Sequence, residues 1–228
     1  MDHYEYTLAS ACVRGAAESN PKLLPADLQT KPLDELTLHD HKRILECGEQ
    51  AGLRMYHFKK KDILPRVKAV MGILKGIQPM SLLDVGSGRG VFLFPFLNTF
   101  PWVPVTSVDV LDHRVKMLKN ISLGGIDRLT AIQQDICTWD MADNSFDVVT
   151  MLEVLEHIAD VQSAVNAAVR LARRYVIISV PSTPDNNPEH IHLLTKDILT
   201  RLFTNAGCKK LHFDGVNGHL ILMATVEN

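Results

Sequence analysis

The sequence predicts an α/β protein built on a mostly parallel, doubly wound sheet with an antiparallel last strand, preceded by an N-terminal helical extension. Three observations predict it. Beyond Pro79 short apolar runs alternate with helical stretches, as in βαβ units. The first of those runs enters a glycine-rich turn that opens a helix. The last two are joined by a turn with no room for a helix, so they must be antiparallel. A chain of 228 residues, 46% of them hydrophobic, holds one sizeable core plus an extension, and two full enzymatic domains would be cramped. The division expected is an N-terminal helical extension or lid over residues 1–61 and the α/β domain over residues 62–228.

Residues 1–36 carry Pro21, Pro25 and Pro32 among polar residues without sustained periodicity, and read as a loose arm with at most one short helix. From Thr37 the apolar residues Leu38, Ile44, Leu45, Ala51 and Leu53 take helical spacing. A second helix follows Asp62 as N-cap, with Pro65 in its first turn, a stripe of Val67, Val70, Met71 and Leu74, and Gly76 as its end. Strands are expected at residues 81–85, 104–108, 129–133, 146–152 and 175–180. Helices are expected at 90–100, 112–121, 160–172 and 195–206, the last closed by Gly207 as a left-handed cap. The terminal runs 210–213 and 219–226 flank Gly215, Val216, Asn217 and Gly218.

A formal net charge of -2 gives no global attraction to nucleic acid or to an anionic membrane. Cys12, Cys47, Cys137 and Cys208 are scattered, with no C-x-x-C pair, and the opening MDHYEYTLAS is no secretory leader. These read as free thiols in a reducing compartment, and the expected location is cytoplasmic. No apolar run approaches the roughly 20 residues that span a bilayer, so no membrane partner is expected.

The chemistry concentrates at strand ends. Leu82, Leu83, Asp84 and Val85 run into Gly86, Ser87, Gly88, Arg89 and Gly90, where missing Cβ atoms let backbone approach a ligand. The spacing is G-x-G-x-G with Asp84 two residues ahead, which differs from the G-x-G-x-x-G of a dinucleotide fold. A carboxylate there repels a diphosphate but pairs with a cation such as the ammonium of an amino-acid moiety. That argues against a nicotinamide enzyme. Asp109 closes the second strand, where a carboxylate can hold both hydroxyls of a ribose, with Val110 next to it. Asp135 follows the third strand and can accept from an adenine amino group, with Ile136 as an apolar wall. Asp at one strand end is often only a cap, but three in succession converge on one pocket outside the carboxyl ends of the sheet.

LLDVGSGRG, VTSVDV, QQDI and FDVVTMLEVLEHI, in this order, make residues 62–228 resemble the class I S-adenosylmethionine-dependent methyltransferases. The resemblance implies a Rossmann-like sandwich with a mostly parallel seven-stranded sheet and an antiparallel last strand, and S-adenosylmethionine as cofactor. It puts Asp84 and the turn against the methionine part, Asp109 on the ribose, Asp135 and Ile136 on the adenine, and Leu152 and Glu153 beside the sulfonium. Leu171 to Tyr175 lack the glycine pair often found before the fifth strand of this family.

Two further clusters border the same place. Glu153, Val154, Leu155, Glu156 and His157 follow the fourth strand. The segment 181–192, with Pro181, Pro184 and Pro188, cannot be helical and carries His190 and His192 over the pocket. Glu156, His157, His190 and His192 are the candidate catalytic groups if the acceptor is a hydroxyl. E-x-x-E-H also resembles the metal-binding motif of small-RNA 3′-terminal ribose 2′-O-methyltransferases, which would make Glu153, Glu156, His157 and His192 ligands of a divalent ion. Similar strings serve metal-independent members of the broad family, and the expectation is no metal. His219 reads as flanking a turn, with an approach to the pocket as the alternative, His113 and His212 as surface residues, and His3, His39 and His41 as solvated. Phe92, Phe94, Phe96 and Phe100 read as core packing, with Pro95 shifting the helix start. The run from Arg54 through Met55, Tyr56, His57 and Phe58 to Lys59, Lys60 and Lys61 is by default a solvated face, and would otherwise suit an anionic acceptor. The reading is methyl transfer to an O, N or C nucleophile of a small-molecule acceptor. Its rivals are metal-assisted RNA 3′-end methylation and a non-catalytic cofactor-binding module.

Overall fold

The computed structural model describes residues 3–58, 63–184 and 186–227. Lys59 to Lys61, Asp62 and Asp185 lie outside the described residues, as does the side chain of His57. Four helices precede the sheet: α1 (His3–Ser19), α2 (Ala26–Thr30), α3 (Leu38–Gln50) and α4 (Pro65–Ile77). The first overturns the expected loose arm. Its inward face is made of Ala9, Ala11, Cys12, Gly15 and Ala17 beside Leu8 and Val13, so no stripe of large apolar residues marks it in the sequence. Small residues there let α1 lie directly on α6 (Asp112–Leu123). A Cβ on Gly15 would stand 1.9 Å from the Asn120 carbonyl oxygen, and one on Gly124 would stand 1.8 Å from that of Ala11. His41 is buried, not solvated, because α3 turns it onto α1, where Ser10 Oγ lies 2.7 Å from its Nδ1. Thr37 and Asp40 cap α3 reciprocally. α4 starts at Pro65 and continues past Gly76 to Ile77, where Gln78 takes the left-handed cap.

The core alternates β1 (Leu82–Val85), α5 (Leu93–Thr99), β2 (Val105–Asp109), α6, β3 (Leu129–Gln133), β4 (Phe146–Leu152), α7 (Val161–Leu171), β5 (Ala172–Pro181), α8 (Lys196–Asn205), β6 (Lys210–Val216) and β7 (His219–Thr225). The seven strands lie in the order β3-β2-β1-β4-β5-β7-β6. β7 is antiparallel to both of its neighbours, and the pairs from β3 to β5 are parallel. The hairpin turn shrinks to Asn217 and Gly218, both with positive φ. The sheet divides the apolar interior. One cluster joins Phe92, Phe96 and Phe100 to α1, α4 and α6, and the other joins α7 and α8 to the opposite face. From β1 the chain winds outward through β2 and β3, and from β4 the other way through β5. The crevice at the ends of β1 and β4 is therefore the topological switch point, where open α/β sheets bind ligands. Among the described residues no helix is long and apolar enough to cross a membrane. The four cysteines are free thiols.

Candidate functional site

Burial of β1 on both faces carries Asp84 into the interior at the mouth of the crevice. Its Oδ1 accepts from Thr150 Oγ1 at 2.8 Å, and its Oδ2 from Ser87 Oγ at 2.5 Å. Ser87 Oγ also meets Ser107 Oγ at 2.6 Å, so β1, β2 and β4 are stitched together beneath the turn. Burial pushes the Asp84 carboxyl up to about 6, opposed by the Ser87 and Thr150 hydroxyls and reinforced by the charge of Asp109. Gly86, Gly88 and Gly90 all have positive φ. Only Gly88 opens to free space as the spacing suggested. A Cβ on Gly86 would meet Val154 at 2.6 Å, and one on Gly90 would meet the Phe94 ring at 2.4 Å. Those two glycines admit neighbouring side chains.

The end of β4 faces this turn. Glu153 has φ 58, a left-handed conformation that costs a non-glycine residue about 1–3 kcal/mol and is kept where the surroundings enforce it. Three groups hold its carboxylate: Ser179 Oγ donates to Oε1 at 2.7 Å, His219 Nε2 lies 3.1 Å from Oε2, and Arg66 Nε lies 3.8 Å from Oε1. Sequence reasoning missed Arg66, Thr150 and Ser179, which sit on α4, β4 and β5 without a motif. It preferred a turn-flanking role for His219 over an approach to the pocket, whereas β7 pairing beside β5 brings it to Glu153. Asp84, Ser87, Gly88, Leu152, Glu153, Arg66 and Arg89 line a cavity of about 190 Å³.

Asp109 is nearly buried at the end of β2, and its Oδ1 accepts from the Leu111 N–H at 2.9 Å. Val110 is exposed beside it. Asp135, exposed two residues past β3, caps the short turn Ile136–Thr138 by accepting from the Cys137 N–H at 2.9 Å, and Ile136 is buried. The sheet register sets Val85 level with Val108 and Met151, and Asp109 level with Gln133, which aligns these ends along one edge.

Leu155–His157 form a tight turn onto which residues 186–192 fold, and among the described residues of the 181–192 segment none is helical, as its prolines require. The Ile191 N–H donates to the Glu156 carbonyl at 3.0 Å. His157 Nδ1 lies 2.9 Å from the Glu189 carbonyl oxygen, which can only accept. Nδ1 therefore carries the proton and Nε2 presents a lone pair. The rings of His157 and His190 meet edge to face at 4.8 Å. Glu156, fully buried, offers a carboxylate oxygen to the same place, and the three prospective donor atoms lie within 4.8 Å of one another. The four residues singled out as possible ligands divide differently. Glu153 is engaged by Ser179, His219 and Arg66, and His190 stands where His192 was expected, while His192 Nε2 is buried elsewhere.

The strand order, the reversed β7 and the glycine turn at the switch point define a Rossmann-like methyltransferase fold of class I. Residues 55–212, more than half of the chain, match the family model described as a methyltransferase domain. The ubiquinone biosynthesis O-methyltransferase of Alkalilimnicola ehrlichii is 31% identical over 134 residues, which are 56% of this chain and 51% of that protein. The match thus spans about half the length of that curated relative. Among solved structures, the methyltransferase domain of bacterial CtHen1 superposes with a TM-score of 0.60 at 17% identity, covering 72% of this chain and 98% of that one. A SAM dependent methyltransferase from Aquifex aeolicus gives 0.54 at 18% identity, covering 72% and 91%. These two likenesses show the fold alone. The chain belongs to the methyltransferase-domain family.

Proposed function

We propose that this enzyme transfers the methyl group of S-adenosylmethionine to an O, N or C nucleophile of a small-molecule acceptor. The reading rests on one observation above all: three carboxylates, Asp84, Asp109 and Asp135, stand at the ends of adjacent strands beside the switch point. The 190 Å³ cavity is smaller than the ~300–1,000 Å³ of a pocket that encloses a whole ligand, and it suits the amino-acid end of the cofactor. Its polar lining suits a zwitterion, with Asp84 for an ammonium and Arg66 or Arg89 for a carboxylate. Asp109 would take the ribose hydroxyls, with Val110 beside it, and Asp135 with Ile136 the adenine. When bound, the cofactor supplies an electrophilic methyl on a sulfonium, and rate comes from alignment and exclusion of water. Leu152 and Glu153 would border that methyl. His157 Nε2, Glu156 and His190 would take or hold an acceptor proton, whereas His192, whose Nε2 is buried away from this cluster, would not. The name of the curated relative favours oxygen as acceptor atom. Residues 1–61 would act as a cap on the domain formed by residues 62–228.

The cluster of Glu156, His157 and His190 favours a second reading, in which these residues hold a divalent ion and the acceptor is the 2′-hydroxyl of an RNA 3′ end. A transfer assay with methyl-labelled cofactor separates the two. Small hydroxylated aromatic acceptors and short RNAs are each tested with and without chelator. The primary reading expects label in a small acceptor at a rate that chelator leaves unchanged. Label confined to RNA, lost with chelator and restored by a divalent ion, would replace it with the second.

A further inference from the structure

A second cavity, of about 510 Å³, lies between the segment 52–58, α1 and α6. Arg54, Arg89, Arg114 and Lys116 line it, and none of its described lining residues is acidic. Among the described residues none of these four cations is in an ion pair. Arg114 Nε is buried and finds no hydrogen-bond partner there, a costly state for a charged donor. The apolar part of the wall is supplied by Met55 and Phe58, both buried, and Met117. Phe58 is held in place by stacking on Phe94, with ring centroids 5.4 Å apart. Positive charge that has no acidic partner among the described residues, beside an apolar wall in a half-open cavity, is the complement of one kind of ligand.

The geometry points to a binding site for a small organic anion, a phosphate or similar dianionic head group carried on an aromatic or short aliphatic body. Arg114 and Lys116, two residues apart on α6 and both lining the cavity, would hold the head group with Arg54. Met55, Phe58 and Met117 would pack the body. Arg89 separates this site from the cavity at Asp84, since it lines both. The assignment shares only Arg89 with the methyl-transfer reading, and Arg89 is not one of the three cations that would hold the head group.

Titration of the whole protein with 1-naphthyl phosphate, with no other ligand present, tests it. Saturable binding that weakens with rising salt is expected. Arg114→Gln and Lys116→Gln should each weaken it about five- to tenfold, the range for losing one partly solvated hydrogen-bonded contact. The neutral 1-naphthol and inorganic phosphate should each bind at least about tenfold more weakly, because each offers half of the complement. Lys116 is exposed on α6, so its replacement keeps the test valid even if Arg114→Gln disturbs the helix. Absence of saturable binding, undiminished binding to the Lys116→Gln protein, or equal affinity for 1-naphthol would overturn the assignment.

Discussion

Asp84 carries a conflict between folding and binding. Its carboxyl is raised to about 6 by burial, above the ordinary value of 3.8, so the fold holds a charged carboxylate there at neutral pH at a cost to stability. The sign follows from linkage: a group whose folded value is raised stabilises the fold at low pH, and that contribution fades as pH rises from about 4 to about 6. Asp84→Asn should therefore raise the melting temperature at pH 7.5 while weakening S-adenosylmethionine binding. In the wild-type protein, cofactor affinity should fall as pH drops below about 6, where the carboxyl protonates; calorimetric titrations from pH 5 to 8 would show this, and a flat profile would remove Asp84 from the ammonium site. Asp109→Ala should cost about 1.5–3 kcal/mol of cofactor affinity by losing charge-assisted hydrogen bonds to the ribose. Unchanged affinity in a folded variant would take Asp109 out of the pocket. These acids were legible because each ends an apolar run. The anchors of Glu153 were not, since Arg66, Ser179 and His219 are scattered over three elements that only the sheet order brings together.

At the scale of elements, the hydrophobic period located every core strand within a few residues, because strands buried on both faces read as continuous apolar runs. The same logic failed for α1. A helix buried through Ala, Gly, Ser and Cys carries little apolar contrast, and what it gains is close backbone contact. Gly15→Ala tests that contact. Alanine favours a helix over glycine by about 0.8–1 kcal/mol. A methyl placed 1.9 Å from the Asn120 carbonyl oxygen meets backbone that cannot step aside, and overpacking of this kind costs about 1–3 kcal/mol or more. The net effect should be a lower thermal midpoint, and a rise would mean that α1 does not rest on α6. The 181–192 loop makes a different demand, since its ties run to the 155–157 turn and the Gly218 carbonyl and not to the glycine turn. Removing the tip between Pro184 and Pro188 should lower turnover and leave cofactor affinity nearly intact, as paired kinetic and binding measurements would establish.

For the whole molecule, the sheet decides what the residues can do together. Winding in opposite directions from β1 and β4 opens one crevice and lines its edge with carboxylates. The reversed β7 then delivers His219 to the same place. On the proposed reading, such an edge would accept a ligand with an ammonium, a ribose and a purine in sequence, and would repel a pyrophosphate. The central claim is therefore about which nucleoside conjugate this crevice takes. Calorimetric titration of the intact protein with S-adenosylmethionine, S-adenosylhomocysteine and NADH tests it most directly. The account predicts saturable binding of the first two at one site per chain and none of the third, and tight binding of NADH with no heat from S-adenosylmethionine would contradict it.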